Sequence, residues 1–342
     1  MAGDLVLLTG ATGMIGFKTL IELVKAGYTV RAAVRNQAGF ERISSLKPLA
    51  PYLSQVDSVI VPDITVPGAY DEAVKGVKYV VHVASPLAST TADTEEAFQT
   101  ETIQPAIQGT VGILESANKA SGIEKIVITA SVLSIASFQA LATGTKINEK
   151  TRATSTEGPF ASSIFAYAAS KALAYQATEK LIAEKKPAFS VVNIMPVFVI
   201  GRDDTVTDPA NIAKGTNGLL MGPLLGQPRD QPLLGIAVHV DDVAKMHVLA
   251  LAPHVKGNED YLACAHPNEP IDWAESFEIV KRRFPEAYAD GVFKFESVPR
   301  PVSVPVHVDS TKAEKELGFK FKSFEELTVS VVEHYLELIG RK

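Results

Sequence analysis

Near the start of the chain the residues read Leu5-Val6-Leu7-Leu8-Thr9-Gly10-Ala11-Thr12-Gly13-Met14-Ile15-Gly16. A short apolar run closed by a glycine reads as a buried strand. Met14 to Gly27 then carries a helix that ends where a glycine can adopt the left-handed cap conformation. The three glycines between strand and helix are spaced three and three, and each position benefits from a missing side chain. Gly10 permits the tight turn, Gly13 lets the backbone approach a diphosphate, and Gly16 lets the helix lie close to the strand. With a helix N-terminus aimed at the phosphates, Thr9, Gly10, Thr12, Gly13, Met14, Ile15 and Gly16 are expected to line a dinucleotide site; the alternative is a plain strand-to-helix turn.

The same β-branched texture recurs at Thr29 to Val34, Val56 to Val61, Tyr79 to Val83, Ile126 to Thr129 and Ser190 to Ile194, with helix-length segments between most of the runs. One such segment, Glu95 to Ser121, reads as a long helix. Runs that are apolar throughout, rather than alternating, belong to strands covered on both faces. The expected fold is therefore α/β, a doubly wound parallel sheet of the Rossmann type with a smaller C-terminal lobe. At 342 residues the chain exceeds the roughly 250–300 at which one core stops growing, which supports two packed regions. We place the sheet domain at 1–200 and 232–252, and a substrate-binding lobe at 201–231 and 253–342. Residues 201–235 hold six glycines and four prolines, so a loop-rich insertion that covers a pocket is expected there, with Leu87, Phe160, Met221 and Leu224 as apolar walls. The last helices are expected at Trp273 to Arg283, Thr311 to Leu317 and Phe324 to Ile339.

The balance of 33 basic and 39 acidic side chains gives a net charge of −6, with no basic stripe, which argues against nucleic acid as a partner. One cysteine, Cys264, excludes an internal disulfide and a multi-cysteine metal site, and fits a reducing compartment. No signal peptide is read at the N-terminus, and no apolar run approaches the ~20 residues of a membrane span, so a cytoplasmic protein is expected.

Two constellations carry chemistry. Arg35 ends the second strand, where an acidic residue would accept from the ribose hydroxyls of NAD, whereas an arginine pairs with a 2′-phosphate; Arg35 thus points to NADP, or is a solvated surface arginine. Asp63, after the third strand, is placed either to accept from an adenine amino group or to form a turn. Tyr167 and Lys171 stand at i and i+4 on one helix face, and an ammonium beside a tyrosine makes its hydroxyl a better proton donor near neutrality. Ser131 lies just beyond the fifth strand, where parallel sheets bind ligands and a hydroxyl can hold a carbonyl oxygen; Ser134 is its rival. His82 lies inside an apolar strand and reads as a buried histidine with a backbone partner rather than a base. His239 with Asp241 and Asp242 lacks the geometry of a ligand set, so no metal is expected.

Taken in order, Thr9 to Gly16, Val34-Arg35, Asp63-Ile64, "HVASP" at His82 to Pro86, "PAIQGT" at Pro105 to Thr110, "TASV" at Thr129 to Val132, "YAASK" at Tyr167 to Lys171, "PVFVIG" at Pro196 to Gly201, "VHVDDVA" at Val238 to Ala244 and "DSTKAEKELGF" at Asp309 to Phe319 resemble the extended short-chain dehydrogenase/reductase superfamily. Its branch of dihydroflavonol-4-reductase-like and fungal aldehyde and ketone reductases is the nearest pattern. The resemblance implies Ser131 as the residue that orients a carbonyl, Tyr167 as the proton donor, and Lys171 as the residue that binds the nicotinamide ribose and tunes the tyrosine. It adds Ile64, Thr129, the loop of Ala84, Ser85 and Pro86, and Pro196, Val197 and Val199 to the cofactor contacts. The implied activity is NADPH-dependent reduction of a small-molecule ketone or aldehyde by a monomer or homodimer. Hydroxysteroid dehydrogenases, nucleotide-sugar epimerases and non-catalytic NADP sensors of the same fold are the alternatives. Relatives often complete the 2′-phosphate clamp with a lysine a few residues after the arginine, and Asn36-Gln37-Ala38-Gly39 has none, which implies a less strict NADPH preference.

Overall fold

The computed structural model describes residues 3–86, 92–265 and 269–341. Its centre is a seven-stranded, wholly parallel sheet of β1 (Leu5–Thr9), β2 (Thr29–Val34), β3 (Val56–Ile60), β4 (Tyr79–His82), β5 (Lys125–Thr129), β6 (Ser190–Pro196) and β7 (Glu259–Ala263). The spatial order is β7-β6-β5-β4-β1-β2-β3. The chain thus builds outward from β1 in one direction through β2 and β3, then returns to β4 on the other side of β1 and builds the opposite way. Connections after β1 and β4 diverge, and the crevice at their carboxyl ends is the place where such sheets bind ligands.

Central strands are buried on both faces, as the unbroken apolar runs require: Val6, Leu7 and Leu8 have no exposed surface. Helices Met14–Lys25 and Val240–Leu249 cover one face together, and Gln104–Lys119 and Ser163–Lys185 the other. The expected helix from Glu95 forms as Glu95–Phe98, a wide turn over Gln99–Ile103, and Gln104–Lys119. The wide turn has a local cause. Pro105 has no N–H for the regular ladder, and the Gln104 N–H reaches back five residues to the Gln99 carbonyl.

Strand β7 corrects the boundary drawn from the loosening alternation after Pro253, because it pairs with β6 inside the main sheet. Its acidic start hides it in the sequence. Glu259 pairs with Lys312 at 2.6 Å, and Asp260 accepts from the Tyr175 hydroxyl at 2.6 Å and the Asn193 amide at 2.9 Å, so neither charge is left unpartnered.

A second cluster lies beside the sheet, around fully buried Trp273, whose Nε1–H donates to the Leu234 carbonyl at 2.8 Å and whose ring stands edge-on to Phe324. Residues of 201–235 supply part of this core. Gly218–Leu224 is a helix, and Met221 and Leu224 have no exposed surface. These two are therefore core of the second cluster rather than pocket walls. Leu87 lies outside the described residues.

Candidate active site

A groove of about 920 Å³ opens along the carboxyl ends of β1, β2 and β4. Thr9, Gly10, Thr12, Gly13, Met14, Ile15, Gly16, Arg35, Asp63, Ile64, Ala84, Ser85 and Pro86 all line it, so the structure gathers these expected cofactor residues onto one surface. The three glycines differ in what excludes a side chain. Gly10 sits at φ +75°, and a Cβ there would meet the Ala84 nitrogen at 2.7 Å; one on Gly16 would collide with the Gly10 carbonyl. At Gly13 a Cβ would meet nothing of the protein closer than 3.8 Å, so the space it leaves belongs to the groove. Gly13 is also the N-cap of the first helix, with no side-chain cap and no acid in the first turn, so its N–H groups face the groove as an anion site. These residues fit a dinucleotide diphosphate.

Arg35 lies exposed on the wall beyond β2. Arg42, which the sequence reading passed over, lines the same groove and donates to the Thr12 carbonyl at 2.6 Å. Asn36 was the available signal. Its side chain accepts from the Gly39 N–H, starting the helix Gln37–Ser44 that carries Arg42 back over the groove. Asp63 is engaged as a turn residue: its Oδ1 accepts from the Thr65 N–H at 2.8 Å and the Thr65 hydroxyl at 2.7 Å, and these bonds hold its carboxyl below the usual carboxylate range. It nevertheless lines the groove, so both readings of Asp63 retain a place.

The Ser163–Lys185 helix carries both Tyr167 and Lys171, and brings Lys171 to Ser85 of the groove wall. Its inner face is made of Ala166, Ala168, Ala169, Ser170 and Ala172, small enough for close approach to its neighbours. The Lys171 ammonium donates to Ser85 Oγ at 2.8 Å and lies 5.3 Å from the centre of the Tyr167 ring. Ser131, half-buried, follows β5 and accepts from the Leu133 N–H through Oγ, capping the turn Val132–Ser134. Its rival Ser134 is buried and faces a small cavity behind the lysine.

Six expected contacts do not line the groove: Tyr167 and Lys171, already described, and Thr129, Pro196, Val197 and Val199. Thr129 lines the small cavity, and its hydroxyl is paired at 2.6 Å with Nε2 of His247; the His247 Nδ1–H donates to the Val243 carbonyl, so Thr129 is the donor. Pro196, Val197 and Val199 are buried at and beyond the end of β6, Val197 and Val199 within the main core. The partner of buried His82 is the Thr9 hydroxyl at 2.9 Å, set by the β1–β4 register, and not the expected backbone group.

A separate cavity of about 110 Å³ is lined by Leu133, Phe138, Phe160, Phe165 and Ala168 with the neutral polar residues Ser137, Gln139 and Ser155, so sequence neighbours of Ser131 and Tyr167 contribute to it. Phe138 and Phe165 meet edge-to-face at 5.9 Å. Phe160 is the expected apolar wall that the structure places at a cavity. Among the described residues no group of three His, Cys, Asp or Glu could hold a metal, and no helix is long and apolar enough to cross a membrane.

Residues 6–264 match the model of the NAD dependent epimerase/dehydratase family. A ketoreductase of Cercospora nicotianae is 36% identical over 99% of this chain and 96% of its own. A protein of Alternaria alternata described as an NAD-dependent epimerase/dehydratase is 35% identical over 94% of this chain and 95% of its own. Among solved structures, the yeast methylglyoxal/isovaleraldehyde reductase complexed with NADPH superposes with a TM-score of 0.83 at 23% identity, covering 99% of this chain and all of that one (100%).

Proposed function

The chain belongs to the NAD dependent epimerase/dehydratase family and is an oxidoreductase, and from that premise we propose that it reduces a ketone or aldehyde to the alcohol with NADPH. The observation that carries this reading is the Lys171 ammonium, fixed by Ser85 of the groove wall and 5.3 Å from the Tyr167 ring. It joins the cofactor groove to a proton donor.

Bound NADPH supplies the hydride. The protein does the rest. Arg35 and Arg42 hold the 2′-phosphate, so the missing lysine after Arg35 is made good by a second guanidinium further along the chain. Gly13 and the helix behind it receive the diphosphate, and Asp63 takes the adenine amino group. Ser85 and Lys171 hold the ribose beside the nicotinamide. Ser131 Oγ orients the carbonyl oxygen, and Tyr167, with the Lys171 ammonium 5.3 Å from its ring centre, gives that oxygen its hydroxyl proton. General acid catalysis of this kind contributes about 10²- to 10⁴-fold.

The phenylalanine-lined cavity receives the substrate body. It has no charged side chain, which suits a neutral carbonyl compound and not a nucleotide diphosphate. The two groove arginines argue the same way, since the NAD of an epimerase has no 2′-phosphate for them to pair with. The test is NADPH consumption with small aldehydes, keto esters and aryl ketones, with NADH in parallel. Turnover at least about tenfold faster with NADPH is expected. Equal or better turnover with NADH, or NADPH binding without any turnover, would overturn the reading.

A further inference from the structure

We propose that His82, Ser134 and Lys171 hold a single water in the small cavity behind the Ser163–Lys185 helix, and that His82 acts through it as a positioning residue for the Lys171 ammonium. The proposal rests on the role given to Lys171 above.

The proton inventory at Thr9 fixes the histidine. Thr9 Oγ1 accepts from the N–H groups of Val83 at 3.1 Å and Ala84 at 3.0 Å, which occupies both lone pairs of the hydroxyl. Its own proton therefore goes to His82 Nδ1 at 2.9 Å. A neutral ring that accepts at Nδ1 carries its hydrogen on Nε2. That Nε2 has no hydrogen-bond partner among the described residues, although His82 is only 2% exposed. Burial first, and the Lys171 charge second, push its pKa down to about 3, so the ring stays neutral near neutral pH.

Ser134 Oγ is the second unpartnered polar atom on the same cavity, again at 2% exposure. Cavity volume is about 20 Å³, enough for one water by the ~10–15 Å³ such a molecule requires. Lys171, Ser85 and Asn193 also line it. The imidazole N–H and the ammonium are both donors and cannot bond to each other. A water oxygen accepts from both, and the water's own hydrogens are left for acceptors such as Ser134 Oγ. Lys171 is then held from two sides, by Ser85 Oγ on the groove side and by the water behind. Because Thr9 blocks Nδ1 and Nε2 already bears a hydrogen, His82 orients the lysine and takes no proton from it.

A crystal structure of the full chain tests the water directly. Density within hydrogen-bond distance of His82 Nε2, Ser134 Oγ and Lys171 Nζ is expected; a dry cavity, or Nε2 bonded to a protein atom, overturns the proposal. This result does not depend on turnover, so failure of carbonyl reduction and failure of the water site are separate findings. In kinetics, His82→Leu should lower kcat about tenfold and displace the pH profile of kcat, with a smaller rise in KM for NADPH because Lys171 also holds the ribose, and His82→Gln, which returns an N–H, should recover most of the loss in kcat and of the displacement. Equal loss in the two variants, or an unmoved profile in His82→Leu, contradicts it. If His82→Leu fails to bind NADPH or unfolds, Ser134→Ala takes its place: about threefold lower kcat with the same displacement supports the water, and an unchanged profile with unchanged water density does not.

Discussion

The groove and the phenylalanine cavity are built from opposite materials. The groove is made of backbone and of missing side chains, at Gly10, Gly13 and Gly16, with two guanidiniums on its rim. The cavity is made of Phe138, Phe160 and Phe165 and offers no charge at all. One surface recognises fixed anionic groups at fixed spacing, where a tenth of a nanometre decides the fit. The other, as the proposed substrate site, would recognise apolar volume, which tolerates exchange. Cofactor choice should therefore be brittle and salt-sensitive, and substrate choice graded.

The sharpest way to break the groove alone is Gly16→Val. Its side chain must displace the Gly10 backbone, and NADPH affinity measured by calorimetry should fall more than about 100-fold, with the phenylalanine cavity untouched. Next, Arg35→Glu combined with Arg42→Glu should reduce the preference for NADPH over NADH about 100-fold, measured as the ratio of kcat/KM, while Arg42→Ala alone should cost about tenfold and reduce the salt dependence of NADPH binding. On the other side, Phe138→Ala should raise KM for an aryl ketone about three- to tenfold and leave KM for NADPH unchanged; a larger effect on the cofactor would erase the division between the two surfaces.

The smallest effect concerns acid. His82 behind the groove and buried His247 have pKa values pushed down by burial to about 3 and about 4. Groups whose folded pKa is depressed stabilise the fold above their unfolded value of about 6.5, and that contribution is lost as pH falls toward the folded values. The groups that meet His82 are Thr9, the Tyr70 ring edge-on at 6.1 Å and Lys171, none of which supplies a carboxylate to rescue the charged form. Tm should fall between pH 6.5 and 4, and His82→Gln should flatten part of that slope. The phenylalanine cavity contributes no such term.

Legibility in the sequence followed the range of the interactions. The first turn after β1 could be read because Gly10, Gly13 and Gly16 answer to atoms within a few residues or to the backbone beside them. Strand β1 could be read because burial on both faces leaves Leu5 to Leu8 apolar throughout. Strand β7 could not, since its acids are matched by Lys312, Tyr175 and Asn193, two of them more than 60 residues away. Thr129 was expected at the cofactor, but its hydroxyl is taken by His247, 118 residues later. Met221 and Leu224 look like pocket walls to a reader of composition, and only the packing around Trp273 shows that they are core. Arg42 was missed because the helix begun by Asn36 had not been recognised, so its distance from Arg35 in sequence hid their place in one groove.

The most direct test of carbonyl reduction through Tyr167 is single-turnover NADPH oxidation by Tyr167→Phe at saturating cofactor, with NADPH affinity measured on the same sample. A rate lower by about 10²-fold or more with affinity unchanged is the predicted result. An unchanged rate at the same affinity would contradict the account, since the hydroxyl beside the Lys171 ammonium would then supply no proton to the reaction.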